Sequence, residues 1–159
     1  MALQILVNII LAFLWVLTVS ELNLGTLLTG YIIGILPIYM MRRFFPGTFY
    51  LRRFYFIIKL FFIFIWEMIK ANYDLFKIIL SPKIDIHPGF FAYPCDLEEE
   101  WEVSLLSALI SLTPGTVIVA ISDDFSVLYI HGIDLVDADE YINEIKKNFE
   151  DVIKEVAKP

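Results

Sequence analysis

The sequence predicts a membrane-anchored protein in three parts: a membrane α-helical hairpin, an amphipathic helix and a small cytoplasmic α+β domain with the order β-α-β-β-α. We place these parts at residues 1–53, 54–80 and 81–159. Of the 159 residues, 58% are hydrophobic, which exceeds the roughly 45–50% of soluble domains. The net charge is +5 over residues 1–83 and −12 over residues 84–159. A basic apolar half followed by an acidic half is typical of a membrane anchor joined to a soluble domain.

The hairpin is predicted from two apolar runs with almost no space between them. Leu3–Ser20 has 18 residues, Leu22–Met41 has 20, and Glu21 separates them. Helices of these lengths measure about 27–30 Å, close to the hydrocarbon thickness of a bilayer. Gly30 and Gly34 form a GxxxG pattern in the second run. The pattern reflects either the ordinary glycine content of membrane helices or a close contact with another helix, including one from a different protein of the same complex.

Four arginines follow the second run and predict the topology: Arg42, Arg43, Arg52 and Arg53. Basic residues beside membrane helices stay on the cytoplasmic side. We therefore expect both the N-terminus and the C-terminal domain in the cytoplasm. The aromatic residues and the Pro46-Gly47 turn between the two arginine pairs suit the headgroup layer of the lipid.

Residues 54–80 are predicted to form a long amphipathic helix with a narrow charged stripe. At 100° per residue, the charged side chains of this region fall within an arc of about 80°. They are Lys59, Glu67, Lys70, Asp74 and Lys77, and Arg52 extends the same line. From Glu67 to Lys77 the signs alternate at spacings of three or four residues, so neighbours are able to pair.

Two placements of this helix are open. It lies flat on the cytoplasmic interface, or it forms a third span whose polar stripe faces partner helices. The interfacial placement keeps Lys77 and Lys83 on the positive side of the membrane, and we adopt it as the expectation. The candidate contacts with other subunits are Gly30, Gly34, Lys59, Glu67, Lys70, Asp74 and Lys77.

Residues 81–159 alternate short β-prone and helical segments. Ser81-Pro82 ends the preceding helix, because a proline disfavours helical backbone at the residue before it. The predicted elements are an extended segment Lys83–Cys95, a helix Trp101–Leu112, a hairpin of Val117–Ile121 with Val127–Ile130, and a helix Asp137–Val156. Asp137 or Asp139 is expected to cap the last helix. In Thr113-Pro114-Gly115-Thr116 the proline and glycine occupy the central positions of a type II turn.

Residues that carry chemistry are few. His87, His131 and Cys95 lack the short paired spacing of a zinc site, and Cys95 has no local nucleophile signature. Phosphate-binding loops and dinucleotide fingerprints are absent from the sequence, so neither ATP nor another cofactor is expected. The acidic half argues against a nucleic-acid partner. The acidic run at residues 96–102 is read as a solvated helix N-terminus, with a cation-collecting surface as the alternative. No catalytic, cofactor or metal residues are predicted.

Several segments, in this order, closely resemble the E subunit of the Mrp-type (Mnh-type) multisubunit cation/proton antiporters of bacteria. The segments are residues 1–6 (MALQIL), 42–47 (RRFFPG), 80–83 (LSPK), 88–92 (PGFFA), 112–116 (LTPGT), 121–124 (ISDD) and 128–131 (LYIH). Each segment alone is weakly specific, whereas the ordered set is specific and covers essentially the whole chain.

The resemblance implies a bacterial cell-membrane complex of seven different subunits that exchanges cytoplasmic sodium for external protons. In that family the large subunits carry the ion-translocating channels, and the E subunit is small and accessory. The partners implied are the other subunits and membrane lipid. We therefore expect a non-catalytic subunit needed for assembly or support of the complex. The alternative is a membrane-tethered cytoplasmic module that binds or senses a partner.

Overall fold

The computed structural model of the chain describes residues 2–45, 47–84 and 86–158. They form two compact units, one ending at Phe54 and the other running Tyr55–Lys158. The amphipathic helix, expected as a part of its own, therefore belongs mostly to the same unit as the sheet. Pro46 lies outside the described residues, while Gly47 of the predicted turn has a φ of 80°.

The first unit is a pair of antiparallel helices. Helix α1 runs Ala2–Val19 and helix α2 runs Leu24–Met40. Asn23 caps α2, since its side-chain oxygen accepts a hydrogen bond from the Thr26 backbone N–H at 2.8 Å. Helix α1 is long and apolar enough to cross a membrane, and α2 is a shorter apolar helix. A single 3₁₀ turn, Arg42–Phe44, follows α2.

Helix α3, Tyr50–Leu80, begins in the first unit and continues into the second. The second unit then contains β1 (Gly89–Pro94), α4 (Glu100–Leu112), β2 (Thr116–Ile121) and β3 (Val127–Gly132). The sheet is antiparallel with the strand order β1-β3-β2. This agrees with the predicted β-α-β-β-α order and with the predicted hairpin of the last two strands.

One face of the sheet carries the core. Phe91, Tyr93, Leu128 and Ile130 point inward and are almost fully buried. They pack with α4, the C-terminal helices and the N-terminal half of α3, including the buried Leu60. The outer face is open, with 71% of Phe90 exposed. Burial on one face explains the alternation of buried and exposed residues along β3.

The C-terminal helix is interrupted, although the sequence predicts one continuous helix. It consists of α5 (Ala138–Ile145), a π-helical turn (Lys146–Glu150) and α6 (Asp151–Ala157). The π turn adds a residue to the helical repeat, so Phe149 and Glu150 are both buried. Of the two predicted caps, Asp137 is the one used: its Oδ1 accepts from the N–H groups of Asp139 and Glu140.

Candidate functional site

The two glycines of the GxxxG pattern lie in the contact between α1 and α2. A Cβ atom at Gly30 would lie 2.8 Å from the Trp15 Cβ, and one at Gly34 would overlap the Asn8 amide oxygen. Both glycines are buried. The close helix contact that the pattern predicts is therefore made inside the chain, where the missing side chains let the two backbones approach.

A polar cluster that the sequence analysis missed lies in the first unit. Gln4 and Asn8 are buried, at 1% and 0% exposure, although they stand in an apolar helix. The Tyr50 backbone N–H donates to Gln4 Oε1 at 2.9 Å, and Asn8 Nδ2 donates to Tyr50 Oη at 2.7 Å. Gln4 Nε2 also donates to the Thr48 carbonyl at 3.3 Å. The sequence does contain a signal for this cluster, since the two amides are four residues apart in an apolar helix and share one helix face.

The predicted topology residues lie on either side of the turn after α2. Arg42 and Arg43 are exposed in the 3₁₀ turn, and Arg52 and Arg53 lie in the first turn of α3. The Arg42 guanidinium stacks on the Tyr39 ring at 4.6 Å from its centroid. All four arginines thus lie in the first unit, between the end of α2 and the start of α3.

The charged stripe of α3 contacts the C-terminal helix. Lys70 Nζ lies 2.8 Å from Glu144 Oε1, and Asn148 Nδ2 donates to Glu67 Oε1 at 2.9 Å. We expected Lys70 to pair along its own helix, but its bonded partner is 74 positions away in the sequence. Asp74 and Lys77 do form the expected pair, at 3.2 Å.

The N-terminal part of the stripe differs from this. Lys59 is exposed, and its Nζ lies 5.7 Å from the centroid of the Phe56 ring. A charge near an aromatic face is weakly attracted to the ring. The stripe is therefore continuous in sequence, but its C-terminal part contacts the C-terminal helix whereas Lys59 contacts an aromatic ring of α3 itself.

The contact with the C-terminal helix changes the acidity of both stripe residues. Partial burial raises the pKa of the Glu67 carboxyl, against the opposing field of Lys70. The hydrogen bond from Lys70 to Glu144 raises the pKa of the Lys70 ammonium, so that group is held in its charged form. At neutral pH the charge on Lys70 is stabilised and the charge on Glu67 is penalised by desolvation.

An open groove of about 370 Å³ lies between α3, the turn after α4, and α5. Its apolar lining includes Leu75, Ile78, Ile110, Pro114, Ile145 and Phe149. Its charged lining comes from Glu67, Lys70, Asp74, Asp134, Asp137, Glu140 and Glu144. The structure thus brings three predicted stripe residues and the predicted turn motif to one surface.

The turn motif is built as the sequence predicts. Gly115 has a φ of 95°, the value that makes glycine favourable at the third position of a type II turn. The hydroxyls of Thr113 and Thr116 donate to the carbonyls of Leu109 and Ile110 at 2.9 and 2.8 Å. The Ile110 carbonyl also accepts the Thr113 backbone N–H, so several hydrogen bonds hold the end of α4 to the turn that contains Pro114.

A buried carboxylate in the core of the second unit was not predicted. Glu150 has no exposed surface. Tyr93 Oη donates to Glu150 Oε2 at 2.6 Å, and Lys154 Nζ lies 2.7 Å from Oε1. Burial raises the pKa of the Tyr93 hydroxyl, and the bond to Glu150 adds to the effect. The π turn points Glu150 inward, and amphipathic periodicity alone places that residue on the solvent side.

Cys95 and His131 do not line the groove, whereas His87 lies beside Asp134 of its lining. Cys95 is buried at the end of β1, and its burial raises the pKa of its thiol. His87 Nδ1 lies 3.5 Å from Asp134, while His131 Nδ1 lies 3.1 Å from the Gly89 carbonyl. Across residues 2–45, 47–84 and 86–158, no group of three or more potential ligands is arranged to hold a metal ion.

Comparison with known proteins connects these features to a family. A family model described as Na+/H+ ion antiporter subunit matches residues 8–156. The chain is 47% identical to the E subunit of the Na(+)/H(+) antiporter of Bacillus subtilis over 158 residues, which is 99% of this chain and 100% of that protein. It is 46% identical to the E1 subunit of the Na(+)/H(+) antiporter of Staphylococcus saprophyticus over 156 residues, 98% of each.

A solved structure is similar over nearly the same length. A chain of the membrane-bound sulfane sulfur reductase, an archaeal respiratory membrane complex, aligns with a TM-score of 0.57 and 26% identity, covering 96% of this chain and 98% of that one. The family match spans the helix pair, the stripe and the α+β elements alike. The chain therefore belongs to the family of Na+/H+ antiporter E subunits.

Proposed function

We propose that the chain is an accessory, non-catalytic subunit of a multisubunit sodium/proton antiporter in the bacterial cell membrane. The observation that carries this proposal is the family match over residues 8–156 together with 47% identity to an antiporter E subunit along its full length. The expected partners are the other subunits of that antiporter and the surrounding lipid. The role is to assemble and support the complex that exports the cation.

The first unit has the properties of an anchor more than of an ion path. Glu21 is the single charged residue among residues 1–41. The buried polar side chains Gln4 and Asn8 are neutral amides that bond to Tyr50 and to backbone. Proton relays in membranes generally use ionisable residues inside the bundle. The polar cluster therefore serves to hold α1 against the start of α3.

We place α1 and α2 across the membrane and α3 on its cytoplasmic surface. The contacts of Glu67 and Lys70 with α5 and the π turn support this placement, because a spanning α3 would carry those polar contacts into the hydrocarbon layer. A neighbouring face of α3 is apolar and exposed, as expected for a helix lying in the headgroup region. Its large exposed residues include Phe62, Trp66, Tyr73 and Phe76.

The similarity to a chain of a reductase complex also supports an accessory role. That complex is described as a sulfane sulfur reductase, whereas the curated relatives are antiporter subunits. A fold that occurs in complexes with different reactions is suited to a task that those complexes share, such as assembly in the membrane. The residues that perform ion exchange are therefore assigned to other subunits.

Co-purification from bacterial membranes tests the proposal. The chain, tagged after residue 159, is expected to bring down a stable set of other membrane subunits in mild detergent. When purified alone and reconstituted in vesicles, it is expected to show no sodium/proton exchange. Recovery of the tagged chain without any other membrane protein, or exchange by the chain alone, would contradict the proposal.

A further inference from the structure

We infer that the groove between α3, the Thr113–Thr116 turn and α5 is the docking site for a basic cytoplasmic loop of a neighbouring membrane subunit. The loop places a lysine or arginine at the acidic rim and an apolar side chain on the floor. This inference rests on the proposed function, since it requires the chain to be assembled with other membrane subunits.

The shape of the groove suits part of a loop. Its volume of about 370 Å³ lies at the lower end of the roughly 300–1,000 Å³ of ligand pockets. It therefore has room for a few side chains, but not for a whole helix. Val136 stands at its edge with 81% of its surface exposed. Exposed apolar surface with a polar rim is a common mark of a protein–protein contact.

The charge of the groove selects a cationic occupant. Six of its lining residues are acidic and one, Lys70, is basic. Lys70 bonds Glu144, and Lys77 and His87 lie beside Asp74 and Asp134. Of the other carboxylates, Asp134 has only the His87 ring beside it, and three have no salt bridge to any residue that the structure describes: Glu67, Asp137 and Glu140. A groove with this excess of negative charge attracts a lysine or arginine and disfavours an acidic segment.

The membrane position of α3 indicates where the cation comes from. Cytoplasmic loops of membrane proteins are enriched in lysine and arginine, especially near the ends of the spanning helices. If α3 lies on the cytoplasmic surface, its groove is at the level of such loops. Anionic lipid headgroups would be repelled by the same carboxylates. A loop of a neighbouring membrane protein is therefore the occupant that fits both the location and the charge.

Site-directed photocrosslinking in the assembled complex tests this assignment. A photoreactive amino acid replaces Val136 at the groove edge, and a second chain carries it at Asp139, on α5 but outside the groove. Illumination is expected to join position 136 to another membrane subunit, at a cytoplasmic segment containing lysine or arginine, several-fold more efficiently than position 139. Crosslinks from position 136 to lipid, to a segment without basic residues, or to nothing would overturn the inference.

A matched pair of charge-reversal variants provides a second test of the docking site. Glu140 lines the groove and Asp139 does not, yet both are exposed and lie in the first turn of α5. Glu140→Lys is expected to lower the recovery of other subunits with the tagged chain at least threefold, and Asp139→Lys is expected to leave it unchanged. Equal recovery with both variants would overturn the inference. If Glu140→Lys accumulates poorly, Glu140→Gln is used and is expected to give a smaller loss.

The two hypotheses fail in different ways. If the unmodified tagged chain recovers no other membrane protein, the proposed function fails before the groove is tested. If the unmodified chain recovers the complex and both reversals behave alike, only the docking assignment fails. When position 136 crosslinks to a basic loop, changing the crosslinked lysine or arginine to glutamate should restore recovery with Glu140→Lys.

Discussion

Asn8 and Glu150 are both fully buried, yet their polar atoms are satisfied in different ways. Asn8 donates to Tyr50 Oη, and its own carbonyl oxygen has no hydrogen-bond partner among residues 2–45, 47–84 and 86–158. Glu150 accepts from Tyr93 and pairs with Lys154. Burying an unpartnered polar atom destabilises a fold, whereas a fully bonded one is tolerated. The two sites therefore predict different responses to substitution.

Gly34→Ala is expected to destabilise the α1–α2 pair by about 1–3 kcal/mol, the usual cost of overpacking. The new Cβ would overlap the Asn8 amide, so adding Asn8→Ala should recover part of the loss. Gly25→Ala is the control on the same helix, because its Cβ would meet only the Asn23 side chain, at 3.2 Å. Thermal unfolding in detergent compares the parent chain, the two single variants and the double variant. A Gly34→Ala variant as stable as Gly25→Ala would contradict the observed contact.

Tyr93→Phe removes the hydroxyl that bonds the buried carboxylate of Glu150. Hydrogen bonds to charged groups contribute about 1.5–3 kcal/mol, so a loss of that size is expected in the free energy of unfolding. Tyr129→Phe serves as the control, since Tyr129 is on the exposed face of the sheet, and its effect should be within about 0.5 kcal/mol. Denaturant titration in detergent compares the two. Equal losses in the free energy of unfolding would mean that the hydrogen bond from Tyr93 to Glu150 adds no stability.

Glu67→Gln gives a prediction about pH. Burial raises the Glu67 pKa above its ordinary value of 4.5, so this carboxyl binds its proton more tightly in the folded state than in the unfolded state. That contribution is fully present below pH 4.5 and is lost as the pH rises through the raised pKa. The glutamine keeps an acceptor for Asn148 and carries no charge, so the variant should unfold at a higher temperature than the parent at about pH 7. The difference should shrink toward pH 4.5. A lower unfolding temperature at neutral pH would show that attraction to Lys70 outweighs desolvation.

Among the elements, α3 is the one that the proposed interfacial placement brings against the membrane. One face supplies Leu60 to the core, together with Ile63 and Phe64 packed against it. The opposite face exposes large apolar side chains along the helix, such as Phe62 and Phe76. A helix with one face packed against the core and a second, apolar face exposed is suited to lie in the lipid interface.

Spin labels on this exposed face distinguish an interfacial from a spanning α3. Phe62 and Phe76 are 14 positions apart, which is about 21 Å along a helix axis. If α3 lies flat, labels at Phe62→Cys and Phe76→Cys should have nearly the same depth in the bilayer. If α3 spans, their depths should differ by about 20 Å. Collision rates with oxygen and a water-soluble nickel complex give the depths, after Cys95→Ala removes the native thiol. A large difference would contradict the interfacial placement.

The elements could be predicted from the sequence because their periods are regular. The apolar run gives α1, the charged stripe gives α3, and the hairpin and the Thr113–Thr116 turn follow from local residue types. The exceptions depend on distant contacts. Lys70 bonds Glu144 instead of its helix neighbours because the tertiary structure places Glu144 of α5 beside it. The π turn has no signature in the local sequence. It buries Glu150 beside Tyr93, a residue of a distant strand.

The candidate site could be predicted only in part, because it also depends on contacts between residues that are distant in the sequence. The stripe residues and the turn motif were recognised separately, but their meeting in one groove depends on tertiary structure. Glu140, which completes the acidic rim, has no distinguishing pattern in the sequence, because the first turns of helices are commonly acidic. The Gln4 and Asn8 pair was visible in an apolar helix, and its partner Tyr50, more than forty residues away, was not.

At the scale of the whole molecule, the division of charge is consistent with a membrane subunit that has a basic, apolar part and an acidic part. The basic, apolar part of the sequence ends near α3, and the acidic part forms the sheet and C-terminal helices. The family match includes both parts. The central claim is therefore that the chain is necessary to the antiporter as a complex, although it carries no ion itself.

Sodium/proton exchange in inverted membrane vesicles tests that claim most directly. Vesicles are prepared from cells that express all the antiporter subunits, the same set without this chain, and the set with the chain restored from a plasmid. We expect exchange to be abolished or strongly reduced without the chain and to return when it is restored, with the other subunits still synthesised. Full exchange in its absence would contradict the claim that the complex depends on it.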